Sequence, residues 1–210
     1  MSDFSTRIVV LISGSGSNLQ ALIDAVEEGS IPGKICAVIS SRDNVKGLDR
    51  AARHNIPAFV INHKAFNSRE AFDERLREII DAQGADLIVL AGFMRILTPA
   101  FTDAYRGRML NIHPSLLPKY QGLHTHQRAL DAGDSEHGAT VHFVTAELDG
   151  GPPVIQARVA VDPGDTAESL AAKVLEKEHE IYPEAVRWFA EGRLRMEGNK
   201  ALLDNKAIDI

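Results

Sequence analysis

The sequence has little cysteine, no excess of basic residues and no long apolar run, and each shortage removes a class of protein. A single cysteine among 210 residues, Cys36, excludes a disulfide framework within the chain. The 23 lysine and arginine residues are outnumbered by 29 aspartate and glutamate residues, and no block of like charge occurs. This balance argues against a nucleic-acid or acidic-membrane partner. No apolar stretch is long enough to span a bilayer, so we expect a cytoplasmic protein with no membrane partner.

The remaining composition is that of an ordinary globular protein. Apolar residues make up 44% of the chain and charged residues 25%. A chain of 210 residues is long enough to bury a large core without disulfides. We expect a single domain over residues 1–210, with a core of about residues 7–195 and a loosely held tail of about residues 196–210.

Short apolar runs alternate with segments of helical periodicity over the first half of the chain. Buried strands are predicted at residues 7–12, 34–40, 58–61, 86–91 and 108–113. Helices are predicted between them, at residues 19–28, 47–54, 68–83 and about 99–105. The repeated strand and helix order predicts an α/β fold with a doubly wound, mostly parallel sheet.

The pattern changes after residue 137. Residues 137–145 and 154–161 alternate in polarity around the turn-like Leu-Asp-Gly-Gly-Pro-Pro. They predict an antiparallel C-terminal extension of the sheet. A long helix is predicted next, over residues 166–191.

A glycine-rich loop, Ser-Gly-Ser-Gly-Ser-Asn at residues 13–18, follows the first strand and opens the first helix. The amides at the start of a helix attract an anion, so a phosphate is the natural ligand. The loop lacks the Gly-Lys-Ser/Thr end of a Walker A loop. A dinucleotide fingerprint would need glycine in place of Leu19 and an acid in place of Ser40 or Ser41. A purely structural turn remains the alternative.

Asn111 and His113 lie two positions apart near the end of a predicted strand, which Pro114 ends. Side chains at this spacing share one face of a strand. The amide can donate to an oxygen that gains negative charge, and the imidazole can transfer a proton near neutral pH. No motif-borne nucleophile accompanies them, which favours direct group transfer over a covalent intermediate.

The histidines allow two other interpretations, a structural role in the core and metal binding. A histidine with apolar neighbours is more often a satisfied core residue than a catalyst. Four other histidines could in principle bind a metal, and they are His124, His126, His137 and His142. The chain has no His-Glu-x-x-His or paired-cysteine spacing, so we expect no metal. Asp149 precedes two glycines and is typical of a turn, from which its carboxylate could reach His113 and hold the ring in position.

Five motifs in order resemble the phosphoribosylglycinamide formyltransferases, which use 10-formyltetrahydrofolate as co-substrate. They are Ser-Gly-x-Gly-Ser-Asn-Leu-Gln, Ala-Gly-Phe-Met-Arg-Ile-Leu, Asn-Ile-His-Pro-Ser-Leu-Leu-Pro, Gly-Leu-His-Thr-His and Leu-Asp-Gly-Gly-Pro. The resemblance runs over about residues 7–195 and is specific, because Asn-x-His-Pro-Ser with a downstream Leu-Asp-x-Gly marks folate-dependent formyl transfer. It implies a Rossmann-like formyltransferase fold and a step of de novo purine (IMP) biosynthesis.

The resemblance also implies a role for each matching residue. The catalytic residues would be Asn111, His113 and Asp149, which stabilise a tetrahedral intermediate after direct attack by the substrate amine. Phosphoribosylglycinamide would contact Gly16, Ser17, Asn18 and Glu178. The formyl-folate would contact Arg69, Met94, Arg95, Ile96, Leu97, Asn111 and Val144. The expected partners are therefore small-molecule substrates, and the chain would act as a monomer or a homodimer.

Three rival functions are compatible with parts of the pattern. A formyltransferase for initiator methionyl-tRNA would carry an extra C-terminal domain and a basic surface. A formyl-folate hydrolase would normally carry an added N-terminal regulatory domain, whereas about six residues precede the first predicted strand here. A non-catalytic binding module would use the glycine loop alone and leave the Asn-x-His and Asp-Gly-Gly elements unexplained.

Overall fold

A computed structural model describes residues 5–210. Its centre is a seven-stranded sheet with the spatial order β3-β2-β1-β4-β5-β6-β7. The strands are β1 (Thr6–Ile12), β2 (Gly33–Ser40), β3 (Ala58–Val60), β4 (Leu87–Leu90), β5 (Met109–His113), β6 (Glu136–Phe143) and β7 (Pro153–Ala160). The first five pair in parallel, and β6 and β7 extend the sheet in antiparallel fashion. The predicted fold class is confirmed.

Six α-helices cover the two faces of the sheet. They are α1 (Ser17–Glu27), α2 (Lys46–Arg53), α3 (Arg69–Ala82), α4 (Pro99–Ala104), α5 (Thr125–Asp131) and α6 (Ala167–Ala190). Buried side chains of α1, α2 and α6 share one core cluster. Those of α3 and α4 share a second cluster on the opposite face. No helix within residues 5–210 is long and apolar enough to cross a membrane.

The continuous apolar run of β1 follows from its central position. Val10 and Ile12 pack into the cluster with α1 and α6, whereas Val9 and Leu11 pack into the cluster with α3 and α4. Alternate side chains of a strand point to opposite faces, so a strand covered on both faces is apolar at every position. The same reason applies to β4, whose four residues are all buried.

The strand order places the functional edge of the sheet. The chain builds β2 and β3 on one side of β1 and then crosses to β4 and β5 on the other side. Open parallel sheets bind ligands outside the carboxyl ends of the strands at such a switch point. Here the switch lies between β1 and β4, next to the loops that follow both strands.

The expectation of a loosely held tail is wrong. The end of the chain forms a three-stranded antiparallel sheet, β8 (Leu194–Glu197), β9 (Lys200–Leu203) and β10 (Lys206–Ala207). Asp204 and Asn205 adopt positive φ angles of 51° and 65°, which favour a tight hairpin turn. Ala201 is buried in the core cluster with α1 and α6, so this small sheet packs against the body of the protein.

Candidate active site

The glycine-rich loop lies at the switch point, between the end of β1 and the start of α1. Gly16 has a φ of 72°, and a Cβ atom at this position would lie 2.7 Å from the Cα of Gly47. Only glycine fits both the conformation and this close approach. A cavity of about 70 Å³ beside the loop is lined by residues 14–18 together with Ala91 and Gly92. The first amides of α1 therefore border a small space that suits an anionic group.

Ser13 joins the loops that follow three neighbouring strands. Its Oγ lies 2.6 Å from the Oγ of Ser41, just after β2, and accepts a hydrogen bond of 2.8 Å from the amide of Met94. Its own amide donates to the carbonyl oxygen of Gly92 over 3.0 Å. These contacts fix the loop after β4 relative to the glycine loop. No sequence pattern indicates this role, since Ser13 stands out only as part of a glycine-rich turn.

Glu178 of α6 contacts Asn18, one of the residues that line the cavity beside the glycine-rich loop. Its Oε1 accepts a hydrogen bond of 3.3 Å from Nδ2 of Asn18. Burial raises the pKa of Glu178 to about 7, and the hydrogen bond from Asn18 only partly opposes this shift. The Oδ1 of Asn18 is buried without a hydrogen-bond partner among residues 5–210. A buried acceptor of this kind is suited to a donor group on a bound molecule.

Asn111 is held by a histidine on the neighbouring strand. The register of β5 and β6 pairs Asn111 with His142. Nδ1 of His142 donates to the carbonyl oxygen of Phe143 over 2.9 Å, so Nε2 accepts from Nδ2 of Asn111 over 3.3 Å. Burial lowers the pKa of His142, which favours this neutral form. Because an amide nitrogen carries two hydrogens, Asn111 retains one for another acceptor.

His113 and Asp149 form the centre of the cluster. Nδ1 of His113 lies 3.5 Å from Oδ2 of Asp149, and both side chains are buried. The same carboxylate oxygen accepts from the amide of Gly122 over 2.9 Å, and its Oδ1 lies 3.8 Å from Nε2 of His142. Nε2 of His113 donates to the carbonyl oxygen of Tyr120 over 2.7 Å. An amide, an imidazole and a carboxylate thus meet in one volume, as acid–base chemistry requires.

The residues expected to contact the folate lie in several loops. Met94 and Ile96, in the loop after β4, are 57% and 51% exposed and offer apolar surface. The guanidinium of Arg95 lies 5.8 Å from the ring centroid of Phe72. The remaining three residues differ in exposure: Arg69 begins α3 and is exposed, Leu97 is buried, and Val144 follows β6 and is partly buried.

Two functional neighbours were missed by sequence reasoning. His142 stood out only as a conceivable metal ligand, and Tyr120 was not singled out. Neither has a local signal, because the contact of His142 depends on strand register and that of Tyr120 on the path of a loop.

In the part of the chain that the structure describes, the other histidines do not form a metal site. His126 and His137 lie together, with 3.1 Å between Nδ1 of His126 and Nε2 of His137. Residues 5–210 contain no group of three or more histidine, cysteine, aspartate or glutamate side chains arranged to hold a metal ion.

The chain is similar to known proteins over almost its whole length. Residues 6–186 match the formyl transferase family. The chain is 55% identical to the phosphoribosylglycinamide formyltransferase of Escherichia coli over 202 residues, which are 96% of this chain and 95% of that protein. It is 52% identical to the phosphoribosylglycinamide formyltransferase of Haemophilus influenzae, with the same coverage.

A solved structure extends the similarity to three dimensions. The phosphoribosylglycinamide formyltransferase of Coxiella burnetii superposes with a TM-score of 0.94 and 52% identity, over 98% of this chain and 96% of that chain. Identity at this level over nearly the full length carries fold and family together. The resemblance in the sequence motifs is therefore confirmed, and the chain belongs to the formyl transferase family of one-carbon group transferases, in its phosphoribosylglycinamide formyltransferase branch.

Proposed function

We propose that the protein transfers the formyl group of 10-formyltetrahydrofolate to the amine of 5-phosphoribosylglycinamide, in the de novo synthesis of purines. The family membership supports the reaction and the co-substrate. The observation that carries the catalytic assignment is the buried cluster of His113 and Asp149, 3.5 Å apart, with Asn111 on the same strand face as His113.

In the first step the glycinamide amine attacks the formyl carbon, and the carbonyl oxygen becomes an oxyanion. The free N–H of Asn111 and a protonated His113 donate to this oxygen. A formyl group on a folate nitrogen is already activated, so the enzyme has to position the reactants and stabilise charge rather than supply a nucleophile. His142 keeps the Asn111 amide oriented through the 3.3 Å hydrogen bond.

The second step moves protons and breaks the bond to the folate. Asp149, directly or through water, takes a proton from the attacking nitrogen and passes it to the folate nitrogen, while the oxyanion re-forms the carbonyl and the carbon–nitrogen bond to the folate breaks. The products are formylated glycinamide and tetrahydrofolate, and no covalent enzyme intermediate forms. Asp149 is placed for this role because it lies between the two buried histidines, His113 and His142.

The substrates would occupy the two sides of this cluster. The phosphate of phosphoribosylglycinamide would bind the amides of Gly16, Ser17 and Asn18 at the start of α1, and Glu178 would contact the sugar or glycinamide portion. The folate would lie along residues 94–97, with Arg69 and Val144 also at its site. The buried acceptor Oδ1 of Asn18 supports the place of the sugar or glycinamide portion, whose O–H and N–H groups can donate to it. The exposed apolar side chains of Met94 and Ile96 support the place of the folate.

The proposal extends to the surroundings of the enzyme. We infer that it acts in the cytoplasm as a single formyltransferase domain, on small molecules and not on nucleic acid, as a monomer or a homodimer. The formal charge of −6 supports this choice over a tRNA substrate, whose phosphates require a basic surface.

The test is the absorbance change when purified protein is mixed with 10-formyl-5,8-dideazafolate, with and without phosphoribosylglycinamide. Deformylation that requires the glycinamide would establish the transferase. Deformylation without any acceptor would instead identify a hydrolase. Absence of deformylation in both mixtures would refute the proposed reaction for this protein.

A further inference from the structure

One face of the catalytic histidine is occupied by a loop whose contacts the formyl transfer scheme does not use. The loop comprises residues 119–123 and is called the 119–123 loop below. Its Tyr120 has a φ of 54°, and the carbonyl oxygen of this residue accepts from Nε2 of His113 over 2.7 Å. A carbonyl oxygen can only accept, so Nε2 of His113 must carry a hydrogen. The neutral ring therefore has its lone pair on Nδ1, the nitrogen that faces Asp149.

Asp134 holds the side chain of Tyr120 from outside the cluster. The phenol of Tyr120 donates to Oδ2 of Asp134 over 2.6 Å, and Nζ of Lys119 lies 3.0 Å from Oδ1 of the same carboxylate. These two hydrogen bonds lower the pKa of Asp134, so the carboxylate is ionised at neutral pH. A hydrogen bond to a charged acceptor is stronger than a neutral one.

Two further contacts fix the ring and the backbone of the same loop. The guanidinium of Arg128 lies 5.1 Å from the ring centroid of Tyr120. The ring centroid of His137 lies 6.4 Å from that of Tyr120. Arg128 also donates to the carbonyl oxygens of Gln121 and Leu123 over 2.6 and 3.2 Å. A left-handed, non-glycine residue is kept in place by such surroundings, because the conformation itself is unfavourable.

We propose that Asp134 is a positioning residue for formyl transfer: through the phenol of Tyr120 it holds the Tyr120 carbonyl against Nε2 of His113, and so makes Nδ1 the nitrogen that serves the reaction. The inference rests on the proposed function, because it assigns one ring nitrogen to that chemistry. The reaction uses the protonated ring, in which Nε2–H is held by this carbonyl and Nδ1–H is the donor left to face Asp149 and the oxyanion. If the carbonyl moved away, the ring could turn, and Nδ1 would no longer be fixed as that donor.

The consequence belongs to the rate rather than to substrate binding. The 119–123 loop meets the reacting cluster through backbone groups, the Tyr120 carbonyl on His113 and the Gly122 amide on Asp149. Loss of the anchor would therefore disturb the orientation of two catalytic side chains while the glycine loop and residues 94–97 keep their places. We expect kcat to fall and both KM values to stay nearly constant.

The experiment compares wild-type protein with Tyr120→Phe, Asp134→Ala and the control Glu136→Ala. Tyr120→Phe removes only the phenol oxygen and keeps the ring beside Arg128 and His137. Glu136 is an exposed carboxylate two positions away that pairs with Arg158 at the surface, so its removal leaves the loop intact. Steady-state kinetics with both substrates, thermal unfolding, and ¹⁵N NMR of the histidine side chains are measured for each. A His113→Ala spectrum identifies the signal of His113.

The expected result is a fall of kcat by about tenfold in both loop variants, with KM values within about twofold, and no change in the control. A variant that combines Tyr120→Phe and Asp134→Ala should show a fall of kcat no larger than that of either single variant, since both substitutions act through one contact. The NMR signal should show the Nε2–H form of neutral His113 in the wild type and a mixture of both forms in the variants.

Three outcomes would overturn the inference. The first is an unchanged kcat in Tyr120→Phe when the wild-type protein is active. The second is a neutral His113 ring in the wild type that carries its hydrogen on Nδ1. The third is a loss of thermal stability in the loop variants without any change of the His113 signal. Failure of the proposed function is recognised separately, because wild-type protein would then not transfer formyl while its NMR signal could still report the Nε2–H form.

Discussion

Asn111, His113 and Asp149 each depend on a neighbour that completes their hydrogen bonding. Asn111 donates to His142, His113 donates to the carbonyl of Tyr120, and Asp149 accepts from the amide of Gly122. Such surroundings restrict the side chains to orientations that aim their remaining groups at a common volume. Preorganised donors of this kind contribute most where charge develops during the reaction.

The first residue-scale prediction concerns the three side chains proposed to be catalytic. Asn111→Ala, His113→Ala and Asp149→Ala should each lower kcat on the order of 100-fold or more, because each removes a group that acts on the developing charge or on its protons. His54→Ala is the control, since His54 pairs with Glu27 on the surface. Near-normal kcat in a folded catalytic variant would exclude that residue from the mechanism. Folding is checked by circular dichroism and thermal unfolding.

The second residue-scale prediction concerns Glu178 and pH. Burial raises its pKa from an ordinary 4.5 to about 7, so the folded chain keeps a proton that the unfolded chain releases. The stability that this group contributes is fully present below pH 4.5 and is lost as the pH rises through about 7. The free energy of unfolding of the wild type should therefore fall by roughly 3 kcal/mol more between pH 4.5 and pH 8 than that of Glu178→Gln.

Urea unfolding at several pH values between 4.5 and 8 measures this slope. Glu180→Gln is the matched control, because Glu180 lies on the same helix and is exposed beside Lys177. If the unfolding free energy of Glu178→Gln depended on pH as steeply as that of Glu180→Gln, Glu178 would not retain its proton in the folded state.

At the scale of elements, α6 is joined to the centre of the sheet by one hydroxyl. The phenol of Tyr182 is fully buried and lies 2.7 Å from the carbonyl oxygen of Leu90 and 3.0 Å from that of Leu110. It thereby connects the helix that carries Glu178 to the last residue of β4 and the second residue of β5. Burial raises the pKa of this phenol well above its usual value, so the hydroxyl stays a donor.

Tyr182→Phe should lower the free energy of unfolding by about 1–2 kcal/mol, because it removes a buried donor from carbonyl oxygens in a dry environment. Chemical denaturation measures the change. Tyr105→Phe is a useful comparison, since the phenol of Tyr105 donates to the partly exposed carboxylate of Asp81, where water can replace it. Equal losses in the two variants would argue against a special role for the link from α6 to the sheet.

Most elements could be predicted from sequence, and the exceptions have physical reasons. The strands of the main sheet and the long helices lie within a few residues of their predicted bounds, because buried strands and amphipathic helices have distinct periods. Helix α5 was not predicted, because seven residues make too few turns to display a helical period and it lacks the start signal of α4, a capping Thr98 followed by Pro99. The small C-terminal sheet was missed because strands of two to four residues are too short to display a two-residue period.

At the scale of the whole molecule, the C-terminal sheet is part of the core. Ala201 is buried in the cluster with α1 and α6, and Met196 and Ile208 pack against that cluster. A chain that ends at Arg195 should therefore be less stable than the full chain by at least about 2 kcal/mol, because apolar surface becomes exposed. A chain that ends at Ile208 is the control. Equal urea midpoints for both shortened chains would instead indicate a dispensable tail.

The candidate site itself was predicted only in part. The pairing of Asn111 with His113 follows from the two-residue period of a strand, and a phosphate site at residues 13–18 follows from a glycine-rich turn before a helix. The turn at Asp149 allowed a contact with His113 but could not establish it, and no local pattern pointed to Glu178. Resemblance to a family then assigned a role to each. The roles themselves remain predictions.

Sequence alone determined the α/β class and the order of the main-sheet strands and the long helices, because these depend on local periodicity and turn chemistry. Only the tertiary structure decided that His142 faces Asn111, that Glu178 meets Asn18 across 160 positions, and that the Tyr120 carbonyl contacts His113. Such contacts depend on strand register, helix packing and loop path, which arise from the burial of the whole core. The chemistry of the site therefore depends on contacts that no short stretch of the chain encodes.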